Sequence, residues 1–105
     1  MKQRVTAENY QKEVQNSDIP VLVEFFASWC GKCAMMEDVI EELGKETAGR
    51  FKVCQIEIEE SRNLAAKFSI DIVPTFIVMK KGKPTAVASG VLKKAVLEKM
   101  LETVN

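Results

Sequence analysis

The chain has 105 residues, 47% of them apolar, and its 15 basic and 15 acidic side chains cancel. That composition supports one folded domain over 1–105 and sets up no global field for nucleic acid or an anionic membrane. No histidine is present, which removes Ser-His and Cys-His hydrolases, and no run of about 18 apolar residues exists to cross a bilayer.

Residues 1–10 lack the apolar core of a signal peptide, so a cytoplasmic protein is expected, where disulfides are transient and catalytic more often than structural. Residues 2–5 read either as an edge strand or as an irregular start. Thr6 stands as an N-cap for a short helix that sets Tyr10 and Val14 on one face, and Asp18-Ile19-Pro20 ends it. Residues 21–26 are apolar almost throughout, as in a central strand buried on both faces; Glu24 is the anomaly. Trp29-Cys30-Gly31-Lys32-Cys33 follows. Behind it Met36, Val39, Ile40 and Leu43 keep helical spacing, with Glu37, Asp38, Glu41, Glu42 and Lys45 on the other face.

Gly49 marks a break, and residues 51–58 read as a second strand, parallel to the first through a right-handed crossover. Ser61 is a candidate cap for a short helix through Leu64, Ala65 and Phe68. Residues 75–80 form a third strand, Lys81-Gly82-Lys83-Pro84 a turn, and residues 85–89 its antiparallel partner. The lysines around Gly82 are read as a solvated hairpin turn. Leu92, Val96, Met100 and Val104, joined by Leu97 and Leu101, predict an amphipathic final helix. The fold class is α/β, a mixed sheet with helices on both faces.

Cys30 and Cys33 carry the chemistry. A strand that feeds a Cys-x-x-Cys turn into a helix puts the first thiol at the helix N-terminus. Unpaired backbone N–H groups and the positive end of the helix dipole favour a thiolate there, and the thiolate is the nucleophile of disulfide exchange. Zinc also uses this spacing but takes about four ligands, and the third cysteine, Cys54, sits alone in an apolar run. Ala34 stands where haem attachment would require histidine. Reversible two-electron thiol–disulfide exchange is the reading, with no metal and no cofactor.

Along nearly its whole length the chain resembles the thioredoxin family. The run from Val23 to Cys33 is similar to the family's active-site segment, Ile72-Val73-Pro74-Thr75 to its cis-proline loop, and Ser89-Gly90-Val91 to its third substrate-facing loop. The resemblance implies a sheet of four or five strands, ordered 1-3-2-4-5 if the amino-terminal strand forms.

It also implies roles. Cys30 would be the exposed attacking thiol, and Cys33 the more buried thiol that resolves the mixed disulfide, the two forming the redox-active disulfide. Gly31 would keep side chains away from the sulfur. Lys32 replaces the family's usual proline; its ammonium favours a thiolate and the looser turn favours the dithiol, a solvated loop residue being the alternative. Glu24 stands where the family has an aspartate beneath the second cysteine, a proton acceptor through water. Gln55 replaces that residue's lysine companion, so Glu24 should titrate high; a carboxylate that snorkels to the surface is the competing reading. Pro74 would be the cis-proline, keeping metal off the thiols and exposing Val73 backbone groups, with Gly90 and Val91, to an extended substrate.

Trp29 would belong to the apolar rim around Cys30, a core position being the other possibility. Phe26, Cys54 and the methionines, Met35 and Met36 included, read as core or rim residues. Asp38 stands where the family often has a helix-interrupting proline, which predicts a straighter helix. The implied activity is protein-disulfide reduction by a monomer, with electrons from a separate thioredoxin reductase and protein disulfides as substrates. A disulfide oxidase or isomerase and a thioredoxin-fold interaction module are the alternatives.

Overall fold

The computed structural model describes residues 2–103; Val104, expected on the last helical stripe, lies outside them. Burial on the central strands does not alternate with the strand period. On β2 (Val21–Phe26), β3 (Lys52–Glu57) and β4 (Thr75–Lys80) almost every side chain is buried, because both faces of these strands are covered. β1 (Lys2–Arg4) and β5 (Lys83–Ser89) complete a five-stranded sheet in the order β1-β3-β2-β4-β5. β2 and β1 run parallel to β3, while β4 is antiparallel to β2 and β5 to β4. The amino-terminal edge strand therefore forms, and the sheet has the larger of the two expected sizes.

One face packs Val21, Val23, Phe25, Cys54, Ile56, Ile77 and Met79 against Tyr10, Val14 and Leu64. The other packs Leu22, Val53, Phe76 and Val78 against Met36, Ile40 and Leu43 of α1 (Gly31–Glu46) and Leu97 and Leu101 of α3 (Lys94–Glu102). α1 runs as one α-helix through Asp38, whose backbone N–H a proline would remove. Among the described residues no helix is long and apolar enough to cross a membrane.

Four local expectations are corrected. Thr6 makes the bonds of an N-cap, its Oγ1 accepting from Glu8 N–H at 3.2 Å and its carbonyl from Tyr10 N–H at 3.0 Å, but residues 7–9 behind it form a turn. The helix proper is the short π-helical segment Gln11–Gln15, where Asn16 N–H reaches back to the Gln11 carbonyl. Ser61 occupies the N-cap position of α2 (Arg62–Lys67), yet its hydroxyl makes no capping bond and has no partner. Lys83 and Pro84 belong to β5, because Lys81 and Gly82, both at positive φ, close a two-residue hairpin alone. Proline is tolerated there on an edge strand. On α3 the buried stripe is Leu97 and Leu101; Val96 is exposed.

Candidate functional site: a dithiol at a helix N-terminus

β2 ends at Phe26 and the chain turns through Ser28 and Trp29 into α1. Cys30 is the N-cap residue of that helix, with extended backbone dihedrals, and its sulfur takes the place of a capping oxygen. The Cys33 backbone N–H donates to Cys30 Sγ at 3.2 Å. On its far side Cys30 Sγ lies 3.7 Å from the Val73 carbonyl oxygen. Cys30 is half-buried and Cys33 is 4% exposed; both are free thiols. Burial, and then the neighbouring Cys30 sulfur, push the Cys33 thiol up to about 12, which keeps it protonated beside an accessible partner. Lys32 is exposed in the first turn. A Cβ at Gly31 would meet no atom within 4 Å, so the protein's own atoms do not demand a glycine there.

The second wall is the loop before β4. The Val73–Pro74 peptide is cis, as the resemblance implies. Gly90 N–H donates to the Pro74 carbonyl at 2.9 Å, which ties the third loop to the second. Gly90 holds φ at +95°, a conformation that favours glycine. Trp29, Met35, Ile72 and Val91 are all exposed apolar side chains. Trp29 is 67% exposed, which rules out the core alternative, and its indole Nε1 donates to Glu59 Oε1 at 3.0 Å. Glu59 carries no signal in the sequence. It looks like one of several acids after β3, and only the fold brings it to Trp29. Phe26 is half-buried, with the Arg4 guanidinium 4.9 Å from its ring centroid.

Beneath the helix lies Glu24, 1% exposed, so the snorkelling alternative is excluded. Register sets it directly beside Gln55, whose Nε2 donates to Glu24 Oε1 at 2.8 Å, while Oε2 has no protein partner. Desolvation raises the Glu24 carboxyl to about 7, partly opposed by the Gln55 hydrogen bond. Its charge in turn contributes to the high position of the Cys33 thiol. Cys54, on the opposite face of the sheet, is fully buried and pushed up to about 11 by desolvation.

This arrangement can do one kind of chemistry: nucleophilic attack by one sulfur, resolution by a second, and storage of a proton nearby. Residues 1–103 match the family model described as Thioredoxin. The chain is 42% identical over 93 residues to chloroplastic thioredoxin M4 of Arabidopsis thaliana, covering 89% of this chain and 48% of that one. It is 38% identical over 94 residues to thioredoxin of Rickettsia felis, with 90% of each chain covered. It is also 34% identical over 99 residues to thioredoxin 1 of Nostoc sp., covering 94% and 92%. The chain belongs to the thioredoxin family. It spans about half the length of the chloroplast relatives, 48% and 56% of M4 and of rice M3, and nearly all of the bacterial ones.

Proposed function

We propose that the protein is a thiol–disulfide oxidoreductase, a protein-disulfide reductase that works as a single domain. The observation that carries this reading is the asymmetry of the dithiol. Cys30 caps a helix at the open rim, while Cys33 is buried behind it with a carboxyl underneath.

Cys30 thiolate attacks one sulfur of a substrate disulfide. That S–S bond breaks, the mixed disulfide forms, and the first substrate sulfur leaves as a thiolate that takes a proton from solvent. Cys33 then gives its proton to the Glu24 carboxylate and attacks Cys30 sulfur. The Cys30–Cys33 bond forms, the second substrate sulfur leaves, and two electrons have passed from protein to substrate. The Glu24 proton goes to solvent or to the departing thiolate. A carboxyl near neutrality suits that duty, because it can both accept and return a proton. Val73, Pro74, Gly90 and Val91 cradle an extended substrate segment, and Trp29 completes the rim. Gly31 leaves the approach to sulfur open. Lys32 stands exposed in the first turn of the helix, two residues after Cys30.

Electrons come from a separate thioredoxin reductase, and protein disulfides receive them. A reducing compartment such as the cytoplasm suits a couple that must return to the dithiol. The shared name of the relatives favours a reductase over a binding module.

Alkylation of the reduced protein near neutral pH, read by mass spectrometry, tests the assignment of roles. Cys30 is expected to label first, Cys33→Ser to accumulate mixed disulfides with a model protein disulfide, and Cys30→Ser to lose reduction entirely. Faster labelling of Cys33 or Cys54 overturns it.

A further inference from the structure

The polar cluster under the dithiol does not end at Glu24. Gln55 Nε2 carries two N–H bonds, and both are used: one goes to Glu24 Oε1 at 2.8 Å, the other to Glu37 Oε1 at 3.0 Å. The other Glu37 oxygen accepts from the Lys2 ammonium on β1. One amide thus bridges two carboxylates, one buried and one at the surface, and the surface one is clamped by a cation from the edge strand.

We propose that Lys2, Glu37 and Gln55 form a positioning relay that sets the charge state of Glu24 during exchange, so that β1 supplies the cation for the reaction at Cys33. The inference rests on the reductase reading for its kinetic consequence and on geometry alone for its electrostatic one.

Two physical effects follow from the contacts. Holding the Gln55 amide with its NH2 group toward both acids fixes which Glu24 oxygen is occupied. The unpartnered Oε2 is then the atom free to hold the proton. The second effect is charge. The Lys2 ammonium keeps the Glu37 carboxyl below its ordinary value, so Glu37 stays ionised throughout the range in which Glu24 titrates. At Glu24 the Glu37 charge favours the protonated form and the Lys2 charge the ionised form. The two distal groups act in opposite directions.

The surroundings offer few competitors. The titratable or charged groups around this cluster are Cys30, Cys33 and Glu37 of the α1 region, Lys2 and Arg4 of β1, and Glu57 of β3. Arg4 is paired with Glu60, its Nε donating to Glu60 Oε1 at 3.2 Å, and acts only weakly on Glu37; Glu57 is committed to the backbone N–H groups of Glu59 and Glu60. From β4 and α3 the same face receives Phe76, Val78, Leu97 and Leu101, none of which titrates. Glu37 also lines the open groove that borders Cys30 and Cys33.

The test compares Lys2→Met, Lys2→Arg and Glu37→Gln with the wild-type chain by two readouts. One is the NMR titration midpoint of the Glu24 carboxyl in the reduced protein. The other is release of the second coloured thiolate from an aromatic disulfide, which reports resolution by Cys33, as a function of pH. Lys2→Met is expected to move the midpoint and the acid limb up by about 0.5 pH unit, a roughly threefold change in proton affinity, and Glu37→Gln to move both down by a similar amount. Lys2→Arg keeps the charge and should hold the wild-type values. A Glu24 midpoint unmoved in both Lys2→Met and Glu37→Gln, or moved as far by Lys2→Arg as by Lys2→Met, overturns the relay. Absence of the first coloured thiolate in the wild-type chain would instead overturn the reductase reading, with the midpoints still testing the relay.

Discussion

The two faces of the sheet are built to different rules. Toward Tyr10 and Leu64 the packed side chains are apolar, with Phe25 and Phe68 ring centroids 5.7 Å apart. Toward α1 and α3 an equally dry face holds Glu24 and Gln55 among leucines, valines and Phe76. Each face buries a thiol of high proton affinity, Cys54 on the first and Cys33 on the second. Desolvation raises both, so a perturbed thiol is no sign of chemistry by itself. What separates them is company: the Cys30 sulfur and the Glu24 charge both act on Cys33, whereas neither acts on Cys54.

The comparison can be broken at either face, beginning with the largest effect. Phe25→Ala on the apolar face should cost about 3–5 kcal/mol of stability through lost burial and a residual cavity. Chemical denaturation should show that loss at every pH, since no titrating group is involved. A comparable loss confined to high pH would show that the two faces are electrostatically coupled.

Glu24→Gln should act in the opposite manner, with a small effect in acid and a gain near neutrality. The Glu24 carboxyl is raised from 4.5 to about 7 in the folded chain. Below 4.5 it is protonated in both states, and folding suffers nothing. As the pH climbs the unfolded chain ionises first, and stability falls until the folded carboxyl ionises at about 7. The full span is about 3 kcal/mol, at about 1.4 kcal/mol per pH unit. Denaturation midpoints at about pH 5 and about pH 8 should diverge for wild type and converge for Glu24→Gln. The same substitution should slow the resolving step. A stability slope that survives in Glu24→Gln would assign it to another group.

Lys32→Pro is the smallest expected change. The Lys32 N–H lies in the first turn of α1, where the helix supplies no acceptor, so proline breaks no intrahelical bond. Stiffening the turn and removing the ammonium should favour the disulfide and lower the potential of the couple by about 30 mV, equivalent to about 1.4 kcal/mol. Equilibration against glutathione measures this directly. An unchanged or higher potential would make Lys32 a solvated residue only.

Much of this protein was legible in the sequence, because its signals are local or strictly periodic. The apolar run at β2, the helical spacing behind Cys33 and the Gly82 turn each specify backbone through side-chain pattern and allowed dihedrals. Glu24 stood out as a charge in a strand that should be dry, and burial explains its raised affinity for a proton. Caps are less legible: Thr6 and Ser61 offer the same chemistry, yet the Thr6 hydroxyl accepts from Glu8 N–H while the Ser61 hydroxyl has no partner, because a hydroxyl's partner depends on how the neighbouring turn closes.

Only the tertiary structure decided who stands next to whom. Lys2, Gln55 and Glu37 come from an edge strand, a central strand and a helix, and they meet because parallel pairing sets β1 beside β3 beneath α1. Glu59 reaches Trp29 across thirty residues of sequence for the same reason. Pattern along a chain reports which face a side chain takes. Contacts between faces arise from sheet order and crossover, and those are settled by burying all the apolar surfaces at once.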